Sequence, residues 1–263
     1  MATHGESDRA VDSKLPKIAA AFWVMKIAAT TLGETAGDLL SMTMKVGYAL
    51  SSVILMSAFV VSLAAQLFAR RFFPPLYWTV ILTTSTAGTT MSDYMDRTLG
   101  LGYAKGTAIL VTILIAIFAF WRVTTGSLSV DHVRSRKVEL LYWIAILFSN
   151  TLGTALGDFL ADSSGLGFMG GALLIGGLLA VVLLAMFFTR VSRVLLFWAA
   201  FVLTRPFGAT MGDVLTKPHD KGGLNFGTIG SSAILATILV VFVAISTVRQ
   251  RRASVAIPTA PTA

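Results

Sequence analysis

Residues 23–38 read WVMKIAATTLGETAGD, and the stretch returns three times without a gap: WTVILTTSTAGTTMSD at 78–93, WIAILFSNTLGTALGD at 143–158 and WAAFVLTRPFGATMGD at 198–213. Each copy has Gly ten positions after its Trp, a small residue at fourteen and Asp at fifteen. Drift toward membrane composition yields apolar runs, but it does not hold Trp, Gly and Asp in register four times, so the repeat is read before any single element. It sets an acidic residue at the same depth of four related helices.

Composition gives the surroundings of those helices. Hydrophobic residues make up 55% of the 263 residues and charged residues 13%, with a mean hydropathy of +0.78, whereas a soluble domain is about a quarter charged. The chain reads as an integral membrane protein forming a single bundle. It has no Cys, which excludes disulfides and thiolate metal ligands. His4, His132 and His219 lie far apart in polar stretches, so no histidine metal cluster is expected. The first sixteen residues are polar and the following run already holds Lys26, Glu34 and Asp38. That is not the uninterrupted apolar core of a cleavable signal, and the run reads as a retained first span.

Past its Asp each repeat turns through a short polar stretch into a second apolar run, opening at Gly47 and Tyr48, Gly102 and Tyr103, Gly167 and Phe168, and Asn225 and Phe226. About 20 apolar residues cross the hydrocarbon. The expected fold is therefore an all-α membrane protein, with eight transmembrane helices as four tandem two-helix repeats around an axis normal to the membrane. The repeats are read at 18–70, 74–122, 138–190 and 193–248, with a linker at 122–137 and disordered tails at 1–17 and 249–263. Because every unit has an even number of spans, all four point the same way, the parallel kind of repeat. Most Lys and Arg outside the spans lie at the termini and between hairpins, including Arg70, Arg71, Arg122, Arg136, Arg190 and Arg249. Positive loops stay in the cytoplasm, so both termini are expected inside, with the Asp-bearing turns outside. The net charge of +8 is thus a topology signal and anchors the chain to lipid; no nucleic-acid partner is expected.

Positions seven, eleven and fifteen after each Trp share one helix face. They are Thr30, Glu34 and Asp38; Ser85, Thr89 and Asp93; Asn150, Thr154 and Asp158; Arg205, Ala209 and Asp213, with Lys26 one turn earlier in the first copy. Beside this stripe runs one of small residues, including Gly33 and Gly37, Gly153 and Gly157, and Gly208 and Gly212, which lets helices approach closely in lipid. A charged residue in the bilayer faces a partner or a wet cavity, so the four first helices are expected to pack with their polar stripes inward. Fifteen residues at about 1.5 Å each put every Asp roughly 22 Å from its Trp along a core of about 30 Å. Asp96 and Asp162 are read as solvated turn residues or caps in an outer vestibule, and Pro206 as a loosening of the fourth first helix.

The fourfold W…T-x-G…GD pattern followed by G-[YF] resembles a bacterial integral-membrane family described as a repeat of unknown function, number 347 in its series. The resemblance covers nearly the whole chain apart from tails and linker. It implies four two-helix repeats in a bacterial inner membrane and supplies no reaction. The fourth repeat departs from it, with Pro206 and Ala209 where the others have Thr and Glu or Thr. The GETAGD string is also similar to the Glu-x-Gly-Asp signature of some cation exchangers, although two residues separate Glu34 from Gly37.

Hard oxygen donors suit Mn2+, Mg2+, Ca2+ or an alkali ion. The sequence is therefore read as a secondary transporter or exporter of a hard metal cation, coupled to protons in one version. Glu34, Asp38, Asp93, Asp158 and Asp213 are the metal ligands or proton carriers, and Thr30, Thr89, Asn150 and Thr154 are auxiliary oxygens. Lys26 and Arg205 are countercharges; Lys26 is expected to snorkel to the nearer boundary. The alternatives are a non-transporting scaffold or sensor, and a carrier of an anion or small solute using Arg205 and Lys26. No HExxH, GxSxG or nucleotide-binding loop occurs, so neither an enzyme nor a resident cofactor is expected.

Overall fold

A computed structural model describes residues 15–16, 18–69, 71–130, 133 and 135–255. Within them the chain is helical: α1 (Ala20–Asp38), α2 (Tyr48–Phe68), α3 (Pro74–Asp93), α4 (Tyr103–Thr125), α5 (Arg136–Asp158), α6 (Gly167–Phe188), α7 (Arg193–Thr216) and α8 (Gly227–Val255). Pro74 and Pro75 open α3, where a missing N–H costs nothing, and the Ser135 hydroxyl caps α5 by accepting from the Val138 N–H at 3.3 Å. Pro206 lies inside α7, which runs on without a break. The expected tail at 1–17 falls mostly outside the described residues, as do Asp131, His132 and Arg134 of the linker. At the other end α8 extends to Val255 rather than stopping at 248, because Arg249, Gln250, Arg251 and Arg252 are good helix formers.

The odd helices close a ring, α1 on α3, α3 on α5, α5 on α7 and α7 on α1. The small-residue stripe of each helix lies against the polar stripe of the next. A Cβ on Gly37 would stand 2.9 Å from the Thr89 Cβ, one on Gly88 3.0 Å from the Asn150 Cβ, one on Gly157 3.0 Å from the Ala209 Cβ and one on Gly212 2.9 Å from the Glu34 Cβ. The glycines are thus the sockets into which the neighbouring helix's stripe fits.

Each even helix packs chiefly on the odd helix that follows it: α2 on α3, α4 on α5, α6 on α7, and α8 back on α1. The expected hairpin partners are thus shifted by one helix. A turn of π-helix follows each of the first three Asp (Leu39–Thr43, Tyr94–Thr98, Phe159–Ser163). Gly47 and Gly102, at φ of 83° and 73°, a conformation that suits glycine, then redirect the chain to the next odd helix. Among the described residues six helices are long and apolar enough to cross a membrane. The remaining two are α1, which carries Lys26, Glu34 and Asp38, and α3, rich in Thr and Ser; both lie in the inner ring, where neighbouring helices cover their polar faces.

Candidate functional site

The inner ring is layered along its axis, starting from the Trp end. Phe22, Tyr77, Tyr142 and Phe197, each just before its Trp, stack on the Trp of the neighbouring repeat. The ring centroids are 5.8 Å apart for Phe22 and Trp78, 5.5 Å for Tyr77 and Trp143, 6.1 Å for Tyr142 and Trp198, and 5.8 Å for Phe197 and Trp23. Eight aromatic side chains, with the Tyr77 and Tyr142 hydroxyls hydrogen-bonded at 2.8 Å, close this end.

One turn further in lie Lys26, Ile81, Ile146 and Phe201, all buried. Lys26 does not snorkel. Its side chain is fully buried, with Nζ 4.2 Å from the centre of the Phe201 ring, a cation–π contact. The aromatic layer stands between it and the nearer end of the ring. In the next layer Thr30 donates to the backbone oxygens of Lys26 at 3.0 Å and Thr204 at 3.2 Å, and Asn150 Nδ2 donates to Thr84 Oγ1 at 2.5 Å. Both bind neighbouring helices rather than the carboxylates, so they lie apart from the ligand set in which they were placed.

Arg205 rises from this layer into the one above. Its Nη1 lies 3.0 Å from Glu34 Oε2, and its Nη2 donates to Thr89 Oγ1 at 2.5 Å and Thr154 Oγ1 at 2.7 Å. The two hydroxyls in turn donate to Glu34 Oε2, at 3.3 Å and 3.0 Å. One residue from each odd helix therefore joins a single buried network. Ala209 takes the fourth repeat's place in this layer, and its small side chain sits where the others carry Glu or Thr.

The Asp layer is the outermost. Each of its four carboxylates is buried; Asp38, Asp93 and Asp158 are the last residues of α1, α3 and α5, and Asp213 lies in the last turn of α7, where the helix dipole adds up to about half a negative charge. Two cations not assigned to the site from sequence hold them. Lys217 Nζ lies 3.1 Å from both Asp38 Oδ2 and Asp213 Oδ1. Arg97 lies 2.9 Å from Asp93 Oδ1 through Nε and 3.1 Å from Asp158 Oδ2 through Nη2. Each cation follows its own Asp by four residues, a helical pairing distance, and that spacing was the signal available in the sequence. With Arg205 they make three cations paired with five carboxylates, while Lys26 stays in its own layer. Burial pulls the Lys217 ammonium's pKa down, but Asp213 and Asp38 outweigh burial and lift it above its ordinary value.

One oxygen each of Glu34, Asp38 and Asp213 lies within 4.8 Å of the others. Two oxygens on opposite sides of Mg2+ at about 2.1 Å, or of Ca2+ at about 2.4 Å, are separated by roughly 4.2–4.8 Å, so the three can serve one hard cation. Asp93 and Asp158 form the other half of the layer. Asp162 is exposed, but Asp96 is not the solvated turn residue expected: it is buried against Gly106, with the Ser92 hydroxyl 3.4 Å from its Oδ2.

Neither a curated protein nor a solved structure matches the chain. The Repeat of Unknown Function (DUF347) matches it four times, at residues 21–72, 76–127, 141–192 and 196–252. The four matched segments fall on the four pairs of consecutive helices, and the chain belongs to this family.

Proposed function

We propose that the chain crosses a bacterial inner membrane eight times with both termini in the cytoplasm, and that it carries a hard metal cation such as Mn2+ or Mg2+ as a secondary transporter. The observation that carries this reading is the Lys217 ammonium, 3.1 Å from Asp38 and from Asp213, beside a third carboxylate close enough to share a single ion. A tethered monovalent cation occupies the place of a substrate cation. A divalent ion displacing it gains one more positive charge against the three carboxylates and the converging helix C-termini. Lys217 is partly exposed at the Asp end and has water into which to swing. Arg205 stays buried and holds Glu34 in place. Protons can take the same carboxylates once the ion has left, which gives a route to coupled exchange.

The test is flux into vesicles holding purified protein and a divalent-sensitive dye. Asp38→Asn and Asp213→Asn are expected to abolish most Mn2+ or Mg2+ entry, while Asp162→Asn leaves it unchanged. A folded wild-type protein that admits neither ion sinks the proposal. A second reading, a non-transporting scaffold or sensor, is favoured by the pairing of Arg97 with Asp93 and Asp158 and by the closed aromatic end. That reading expects no flux in any variant.

A further inference from the structure

Between α3 and α8 the outer surface holds a groove of about 540 Å³, within the roughly 300–1,000 Å³ of ligand-sized clefts. Leu82 and Leu239 line one end, Val243 and Ala244 its middle, and Trp78 and Arg251 the other end. Two hydroxyls also line it, and both are turned back into their own helices: Thr79 donates to the Pro75 carbonyl at 2.8 Å and Thr247 to the Val243 carbonyl at 2.7 Å. The walls are therefore apolar in effect. From Leu239 to Arg251 the α8 backbone rises about 18 Å at 1.5 Å per residue, slightly more than one leaflet's half of a core about 30 Å thick. Gln250 Nε2 donates to the Phe72 carbonyl at 2.9 Å, which ties the end of α8 to the segment before α3 and fixes the width of the groove there.

Arg251 is exposed and forms no ion pair among the described residues. Its charge stands beside Arg249 and Arg252 at one end of an otherwise apolar slot, and such a basic helix end sits at the headgroup level. We infer that this groove is a binding site for one anionic glycerophospholipid, an acyl chain along Leu82, Val243 and Ala244 and the phosphate on Arg251. An acyl chain suits an elongated wall without free polar groups, and the guanidinium selects a phosphate that carries net charge. The inference is independent of any transport activity.

The experiment is native mass spectrometry of the full chain released from micelles after incubation with phosphatidylglycerol or phosphatidylcholine of identical acyl chains. Wild type is expected to keep one phosphatidylglycerol, favoured about five-fold over phosphatidylcholine, the effect of one basic residue at an anionic surface. Arg251→Gln should remove the preference, and Ala244→Phe should lower retention of both lipids about ten-fold. Val240→Trp, at an exposed position on the same wall, serves if Ala244→Phe does not fold. Wild-type lipid retention in the folded groove-filling variant overturns the site, and so does an unchanged preference in Arg251→Gln. A second copy of the chain held at this face in place of lipid also overturns it.

Discussion

The two ends of the inner ring are made by the same four helices, yet they treat the repeats differently. At the Trp end the four copies are equivalent: each Trp meets the aromatic residue of its neighbour, and the contacts run unbroken round the ring. At the Asp end the copies are joined two by two, α1 with α7 through Lys217 and α3 with α5 through Arg97. Apolar packing is non-directional and tolerates full symmetry. Four buried carboxylates at four helix C-termini repel one another, and two cations from alternate repeats relieve this only by pairing them. Between the ends, Arg205 against Glu34 breaks the remaining symmetry by giving one cation and one anion to a layer of hydroxyls. The Trp end is built as an apolar seal, and the Asp end is built around paired charge.

The largest expected effect breaks the middle layer. Arg205→Gln leaves Glu34 buried without its cation, a change that costs about 3–5 kcal/mol when one member of a buried pair is lost. Unfolding in detergent should show it. The double variant Arg205→Met with Glu34→Gln should recover much of the loss. If the single variant unfolds like wild type, the network does not hold the ring together. Next is the contrast between the two bridged pairs. Lys217→Met frees Asp38 and Asp213 beside a third carboxylate, Glu34, and Mn2+ at a hundred times its dissociation constant should stabilise this variant by about 2.7 kcal/mol. Arg97→Met frees only Asp93 and Asp158 and should respond less. An Mn2+ response that is equal in the two variants, or absent from Lys217→Met, removes the distinction between the halves.

Much of the ring was legible from position within the repeat, since polar residues four apart must share a face and glycines beside them mark a close neighbour. Thr89, Thr154, Glu34 and Arg205 meet because ring closure brings the same positions of four helices to one level. Arg97 and Lys217 lie beyond the repeated stripe, in the turns after the Asp, and join the site only because those turns fold back over the carboxylates. Lys26 was misread because its distance from the boundary says nothing of the aromatic layer in between. The partner of each even helix was not legible at all: it depends on the turn after the Asp, where in the first three repeats a π-helical turn and left-handed glycines redirect the chain.

The sockets supply an intermediate effect. Gly88→Ala drives a methyl to 2.9 Å from the Thr151 backbone nitrogen, which cannot swing away as a flexible side chain can. About 1–3 kcal/mol of destabilisation is expected. Gly177→Ala on α6, with nothing within 4 Å of the added carbon, should be neutral or slightly stabilising, because Ala is the better helix former by up to about 1 kcal/mol. Equal responses at the two sites would deny that the inner ring is packed more tightly than the outer helices.

The smallest effect tests how far the aromatic end is equivalent in all four repeats. Tyr77 and Tyr142 share a hydrogen bond at 2.8 Å, while the corresponding positions of the first and fourth repeats are Phe22 and Phe197. Tyr77→Phe removes one hydroxyl and strands the other in a fully buried site, so it should cost about 1–3 kcal/mol, the penalty of an unsatisfied polar group. Changing both to Phe makes all four repeats alike here. Because replacing both partners with apolar groups of the same shape is nearly neutral, the double variant should unfold within about 0.5 kcal/mol of wild type. That non-additivity, measured as a double-mutant cycle, is the signature of a pair whose hydroxyls serve only each other. If the double variant is instead as unstable as the sum of the singles, the hydroxyls have other partners, and the Trp end is not the uniform apolar seal that distinguishes it from the Asp end.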